Sequence, residues 1–68
     1  MLDTHINLVP YQKMVGETYL VGDEKWYIDR CFILLSTDEP HFRIRVTYPS
    51  GGVVYRVYAC EETMDYIF

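Results

Sequence analysis

Between residues 41 and 60, two runs of alternating polar and apolar side chains flank Pro49-Ser50-Gly51-Gly52, and a chain so patterned folds as a β-hairpin. A two-residue turn at Ser50-Gly51, or a four-residue loop, sets Tyr48 across from Val53, and that register carries down both strands. Phe42, Ile44, Val46 and Tyr48 then share the core face with Val53, Tyr55, Val57 and Ala59. His41, Arg43, Arg45 and Thr47 share the other face with Val54, Arg56, Tyr58 and Cys60. A three-residue loop mixes the two sets and opposes charges to apolar groups, so burial argues against it.

Upstream, residues 26–36 are rich in β-branched and aromatic side chains, which favours a strand. Alternation puts Trp26, Ile28, Phe32 and Leu34 on one side and Tyr27, Cys31, Ile33 and Leu35 on the other, as in a strand covered on both faces. The spacing of Trp26, Arg30 and Leu34 also suits a helix at about residues 24–35, which is the alternative. The cluster Gly22-Asp23-Glu24-Lys25 reads as a turn, so a strand at residues 17–21 forms a hairpin with the next. Thr37-Asp38-Glu39-Pro40 is a polar connection, and because Pro40 has no amide hydrogen, the following strand is expected to start after it. Pro10 closes a short edge strand at residues 4–9, where Ile6 and Leu8 alternate with His5 and Asn7. The tail, residues 61–68, is a short helix with acids at its N-terminal end, or a helical turn followed by a closing strand; either tucks Phe68 inward beside Met64 and Ile67.

A chain of 68 residues makes one domain, and at this size stability is expected to be roughly 3–10 kcal/mol. Half of the residues are apolar and 24% charged, enough burial potential to exclude a disordered chain. The fold class is mainly β: a small antiparallel barrel or curved sheet with a short C-terminal helical turn, with an α+β sheet as the alternative.

The inferred register sets Arg45 opposite Arg56, and facing like charges cost about 0.2–1 kcal/mol unless an anion intervenes. Asp29 on the neighbouring strand is the first internal candidate and Glu17 the second. The external candidate is an anion held by the two-pronged donors of arginine, with Arg43, Arg45, Arg56, Tyr58 and His41 forming a nucleotide-like ligand platform. Ten acids against six bases give a net charge of −4, which argues against general phosphate-backbone binding.

Seven tyrosines and one tryptophan supply the large amphipathic surface that protein contacts use. Trp26, Tyr27 and Tyr48, rimmed by the acids Asp23, Glu24, Asp38, Glu39, Glu61 and Glu62, are therefore the expected contact with a larger protein. A phage-encoded inhibitor of a nucleic-acid-binding host enzyme belongs to this class. Self-association into a homodimer would supply burial that a small domain lacks.

No catalytic or cofactor spacing is present, and His5, Cys31, His41 and Cys60 lack the spacing of metal ligands. A Cys60 nucleophile with His41 as base is the one enzymatic arrangement the register allows, and the chain is read as non-enzymatic. Two cysteines are too few for a disulfide framework. With no basic start, apolar signal stretch or membrane-length run, a cytoplasmic location is expected, that of the host cell for a phage product.

From Gly16 onward, Gly-Glu-Thr-Tyr-Leu-Val, then Trp26-Tyr27 opening a long strand, a strand at 42–48, Gly51-Gly52 and a strand at 53–58 resemble an SH3-like barrel of the Tudor type. That resemblance implies about five bent strands and an aromatic cage binding methylated lysine or arginine by cation–π attraction. Tyr27 and Tyr48 fall near cage positions. The first-strand aromatic is replaced by Leu20 or Val21, and Ser50 follows Pro49, so the cage is incomplete.

Overall fold

The computed structural model describes residues 8–68. Four antiparallel strands, β1 (Thr18–Val21), β2 (Glu24–Leu34), β3 (Glu39–Thr47) and β4 (Val53–Ala59), form one sheet in the order β1-β2-β3-β4. A one-turn helix α1 (Val9–Gln12) precedes them and α2 (Cys60–Ile67) follows. The sheet form of the expectation is the one adopted: among the described residues β1 and β4 are the two edges, so the four strands form an open sheet and do not close into a barrel. Residues 24–34 are strand, which corrects the helical alternative.

The described end of the expected strand at residues 4–9 is helical: Leu8 caps α1, and Pro10 lies in its first turn, where the missing amide hydrogen has no helical partner to lose. Residues 4–7 of that expectation lie outside the described residues. The turn between β1 and β2 is only Gly22-Asp23, since Val21 already pairs with Glu24. Gly22 at φ 63°, with no positive φ at Asp23, has the pattern of a type II′ turn that favours glycine first.

A bulge at Asp29 decides the faces of β2. Ile28 pairs with Ile44, but Arg30 pairs with Arg43, so one extra residue is inserted and the alternation shifts. Trp26, Ile28, Cys31 and Ile33 therefore share the inner face. Tyr27, Arg30, Phe32 and Leu34 share the outer one, contrary to the unbroken alternation. The β2–β3 connection is residues 35–38, where the Thr37 and Asp38 amides donate to the Leu34 carbonyl and Asp38 takes φ 56°. β3 thus starts before Pro40, which pairs with Ile33. Its nitrogen faces the side of β4 beyond the last β3–β4 pair, His41 with Ala59, so no ladder bond is lost.

The β3–β4 register differs by one residue from the expected one. Thr47 pairs with Val53, Arg45 with Tyr55 and Ile44 with Arg56. The Gly51 amide donates to the Tyr48 carbonyl, the Tyr48 amide donates to the Gly52 carbonyl, and Gly51 lies at φ 95°. This is the three-residue loop Pro49-Ser50-Gly51, a type I turn closed by a left-handed glycine. The burial objection fails because β4 is an edge strand: Val53, Tyr55 and Val57 remain about half exposed, at 51%, 53% and 50%.

The core is Met14, Trp26, Ile28, Phe42, Ile44, Val46 and Cys60. Both helices cover the inner face, with Tyr11 of α1 edge-on to Phe42 at 6.1 Å and Met64 and Ile67 of α2 against the core. Phe68 touches Tyr19 edge-on at 5.9 Å but stays 80% exposed, so the expected inward tuck does not occur. The helical reading of the tail holds, and no closing strand forms. Among the described residues no helix is long and apolar enough to cross a membrane.

Candidate functional site

With both helices on one side, no described residue outside the sheet covers its other side. Pairing places Thr18, Tyr27, Arg45 and Tyr55 in one row across this outer face, and Leu20, Lys25, Thr47 and Val53 in the next. Arg30, Arg43 and Val57 form a third row, with Asp29 at the bulge. Four of the six lysines and arginines thus share a face with two acids, Asp29 at the bulge and Glu39 at the strand end, although the chain as a whole is acidic.

Cations and rings interleave on this surface. The Arg43 guanidinium lies 4.4 Å from the Tyr55 ring centre and that of Arg45 4.8 Å from the Tyr27 ring centre. A cation–π contact of this kind is worth about 0.5–1 kcal/mol at exposed sites and restrains the guanidinium over the ring. Asp29, the first internal candidate for neutralising Arg45 and Arg56, approaches Arg43 at 3.6 Å and Arg30 at 3.9 Å instead. Among the described residues no carboxylate pairs with Arg45, whose guanidinium keeps its donors for solvent or a partner.

Arg56 does not face Arg45. The one-residue shift puts it on the inner face, donating to the Tyr48 hydroxyl at 2.6 Å and more weakly to that of Tyr58 at 3.5 Å, with the Glu24 carboxylate 3.6 Å away. Glu24 also accepts from the Trp26 indole at 3.0 Å. Trp26 is 3% exposed and stacks on half-buried Tyr58 at 5.5 Å, so Trp26 is not the exposed contact the sequence suggested. The expected five-residue anion platform is accordingly divided: Arg43, Arg45 and His41 lie on the outer face, and Arg56 and Tyr58 on the inner. His41 Nδ1 donates to the Glu39 carbonyl at 3.0 Å, with its ring near Phe32.

The cage residues implied by the Tudor resemblance are also divided. Tyr27 is on the outer face under Arg45, while Tyr48 is on the inner face, its hydroxyl held by Arg56. The rimming acids disperse likewise. Asp23 sits in the β1–β2 turn, and Asp38 and Glu39 lie at the opposite end of β2. Glu39 and Glu61 line one cleft with Pro40 and Ala59, Glu62 follows on the first turn of α2, and Glu24 is committed to Trp26 and Arg56.

His41 and Cys60 do not form a pair, because Ala59 takes the position opposite His41 and Cys60 is buried on the other side of the sheet. The Cys60 sulfur lies 3.8 Å from that of Cys31, both free. Burial, reinforced by the neighbouring Cys31 thiol, pushes the Cys60 pKa far above the ordinary thiol range, and burial raises Cys31 as well. A reactive thiolate needs the opposite shift. Among the described residues no three His, Cys, Asp or Glu side chains converge as a metal site.

Tyr55 and Lys25 were not singled out in the sequence. The signal that places Tyr55 is the loop: proline after Tyr48 and glycine two residues later suit a type I turn with a left-handed closing residue, which fixes the parity of β4. No family model, no curated protein and no solved structure matches this chain.

Proposed function

We propose that the protein is a non-enzymatic binding protein that docks through its open sheet face onto an acidic surface of a larger protein, as an inhibitor or adaptor does. The observation that carries this reading is the interleaved row Tyr27, Arg45, Tyr55, with Arg43 over the last ring, on a face that neither described helix covers. Tyrosine and arginine are among the side chains that contribute most where protein surfaces meet, and guanidinium groups restrained over rings present their donors to carboxylates at lower entropic cost. The face supports a macromolecular partner better than a small anion. Small ligands are held in concave sites, and the clefts at Glu39, Pro40, Ala59 and Glu61 and at Gln12, Val15, Arg30 and Cys31 lie away from the central row.

The test is affinity capture from an extract of the source organism with three versions of the full chain, each candidate partner then being measured as a purified protein. The reading requires a partner held by the wild type and by Glu61→Lys/Glu62→Lys but lost at least tenfold in Arg43→Glu/Arg45→Glu. A partner lost only with the acid reversal moves the contact to the acidic end of the molecule. Saturable binding of ATP in equilibrium dialysis, abolished by the same arginine reversal, replaces the protein partner with a nucleotide.

A further inference from the structure

The edge of β4, unpaired among the described residues, carries a second surface that shares only Tyr55 with the docking row above. Paired strands alternate between hydrogen-bonded and non-bonded residue pairs. The Tyr48 amide bonds Gly52, so Val46–Val54, Ile44–Arg56 and Phe42–Tyr58 are the bonded pairs of this ladder. The amide and carbonyl groups of Val53, Tyr55 and Val57 therefore point out of the sheet, along its free edge. The same three side chains are about half exposed on the outer face.

Natural edge strands discourage further pairing by lysines, prolines, bulges or covering segments. Val53-Val54-Tyr55-Arg56-Val57-Tyr58-Ala59 has no lysine or proline, its pairing with β3 runs without a bulge, and no described segment pairs with its free edge. Its one charge, Arg56, lies on the inner face under Tyr48 and Glu24. By contrast, β1 at the opposite edge has four residues.

We propose that β4 pairs antiparallel with β4 of a second copy of this chain, about a two-fold axis through Tyr55, joining two four-stranded sheets into one of eight strands. Tyr55 then faces its own counterpart, and Val53 faces Val57 of the other copy in both directions. This is the one two-fold register that pairs all three exposed residues with one another. A shift by one residue in the axis sets Arg56 against Arg56, a like-charge contact that disfavours it. In the favoured register Arg56 meets Val54, whose side chain is itself 39% exposed. The second copy is the occupant that self-complementarity selects, since the strand's free donors and acceptors and its apolar residues match their own image about that axis. Five paired residues per chain make an interface below the roughly 1,200 Å² of stable complexes, so the dimer forms at about micromolar to tens-of-micromolar concentration. It doubles the outer face without covering Arg45.

Sedimentation equilibrium of the full chain from 1 µM to 1 mM (roughly the span that brackets this affinity) tests it. The wild type is expected to pass from monomer to dimer across this range. Val57→Pro deletes an edge-facing amide that β3 does not use and should raise the dissociation constant at least tenfold, with the near-ultraviolet signal of buried Trp26 retained. Should that variant lose the Trp26 signal, Tyr55→Lys supplies the same test by bringing two ammonium groups together on the axis. Tyr55→Cys, oxidised by glutathione disulfide, should cross-link to itself, whereas Arg56→Cys should not. A wild type that stays monomeric at 1 mM, an edge variant that dimerises undiminished, or cross-linking by Arg56→Cys in place of Tyr55→Cys overturns the proposal. Val57→Pro leaves Tyr27, Arg43, Arg45 and Tyr55 unchanged, so with that variant the dimer can fail while the docking reading stands.

Discussion

Arg45 and Arg56 are chemically identical and do opposite work, because the sheet separates them. Arg56 ties the Tyr48 hydroxyl and Glu24 together at the margin of the core, with Trp26 bonded to the same carboxylate. Replacing Arg56 by Ala leaves those partners unpaired in a part-buried place and is expected to cost about 1–3 kcal/mol, read from urea midpoints. Arg45→Ala removes only an exposed stack on Tyr27 and should stay within about 0.5–1 kcal/mol of the wild type. Equal losses in the two variants contradict the assigned faces. Cys60 makes a second prediction at this scale. Its folded pKa is raised above the unfolded value of about 8.5, so above that pH the unfolded chain releases a proton that the folded one keeps. The stabilising contribution is complete below about pH 8.5 and is lost as pH rises toward the folded pKa, at up to about 1.4 kcal/mol per pH unit for one group. Denaturation midpoints measured from pH 7 to 10 should fall, and Cys60→Ala should flatten the decline; an unchanged slope in the variant contradicts a buried, protonated thiol.

At the scale of elements, two local insertions govern which side chains meet. Gly51 closes the β3–β4 loop at φ 95°, a backbone region where a side chain is strained even though the space beside it is open. Gly51→Ala is therefore expected to cost about 1–2 kcal/mol. Gly52→Ala lacks the positive φ and meets its nearest neighbour, a ring carbon of Tyr48, at 3.7 Å, so its cost should be smaller. Comparison of the two by thermal unfolding checks that the loop has three residues, since a two-residue Ser50-Gly51 turn would make different demands on both. The same contrast explains what was legible in the sequence. Phe42, Ile44 and Val46 stand among arginines and read as a core face at once, as they are. In β4, Val54 and Tyr58 at even positions are as apolar as Val53, Tyr55 and Val57 at odd ones, so alternation cannot assign its faces; only the turn can. Asp29 left no mark either, because a bulge residue is recognised by what pairs with its neighbours and not by its own type. The candidate site suffered most, since each of its arginines takes its meaning from a one-residue register.

For the whole molecule, the proposed docking face and the core occupy opposite sides of one sheet, and charge follows the same division. The helix side and strand ends carry the carboxylates of Glu61, Glu62, Asp38 and Glu39, whereas the open face holds Lys25, Arg30, Arg43 and Arg45, yet the net charge is −4. An acidic partner must therefore be attracted by a local field within a molecule that repels it at long range. At about 0.01 M salt the screening length is near 30 Å, and the approaching surface senses the net negative charge; near 0.15 M it shrinks to about 8 Å, and the arginine face dominates at close approach. Association with an acidic partner should then depend on salt non-monotonically, rising from low to moderate ionic strength and falling toward 1 M as the contact itself is screened. Stopped-flow measurement of the association rate across that range checks this. Neutralising the distant acids with Glu61→Gln/Glu62→Gln should raise the low-salt rate and leave the 1 M rate unchanged. A rate that falls steadily from the lowest salt upward means instead that the partner meets a face whose own field already prevails at long range.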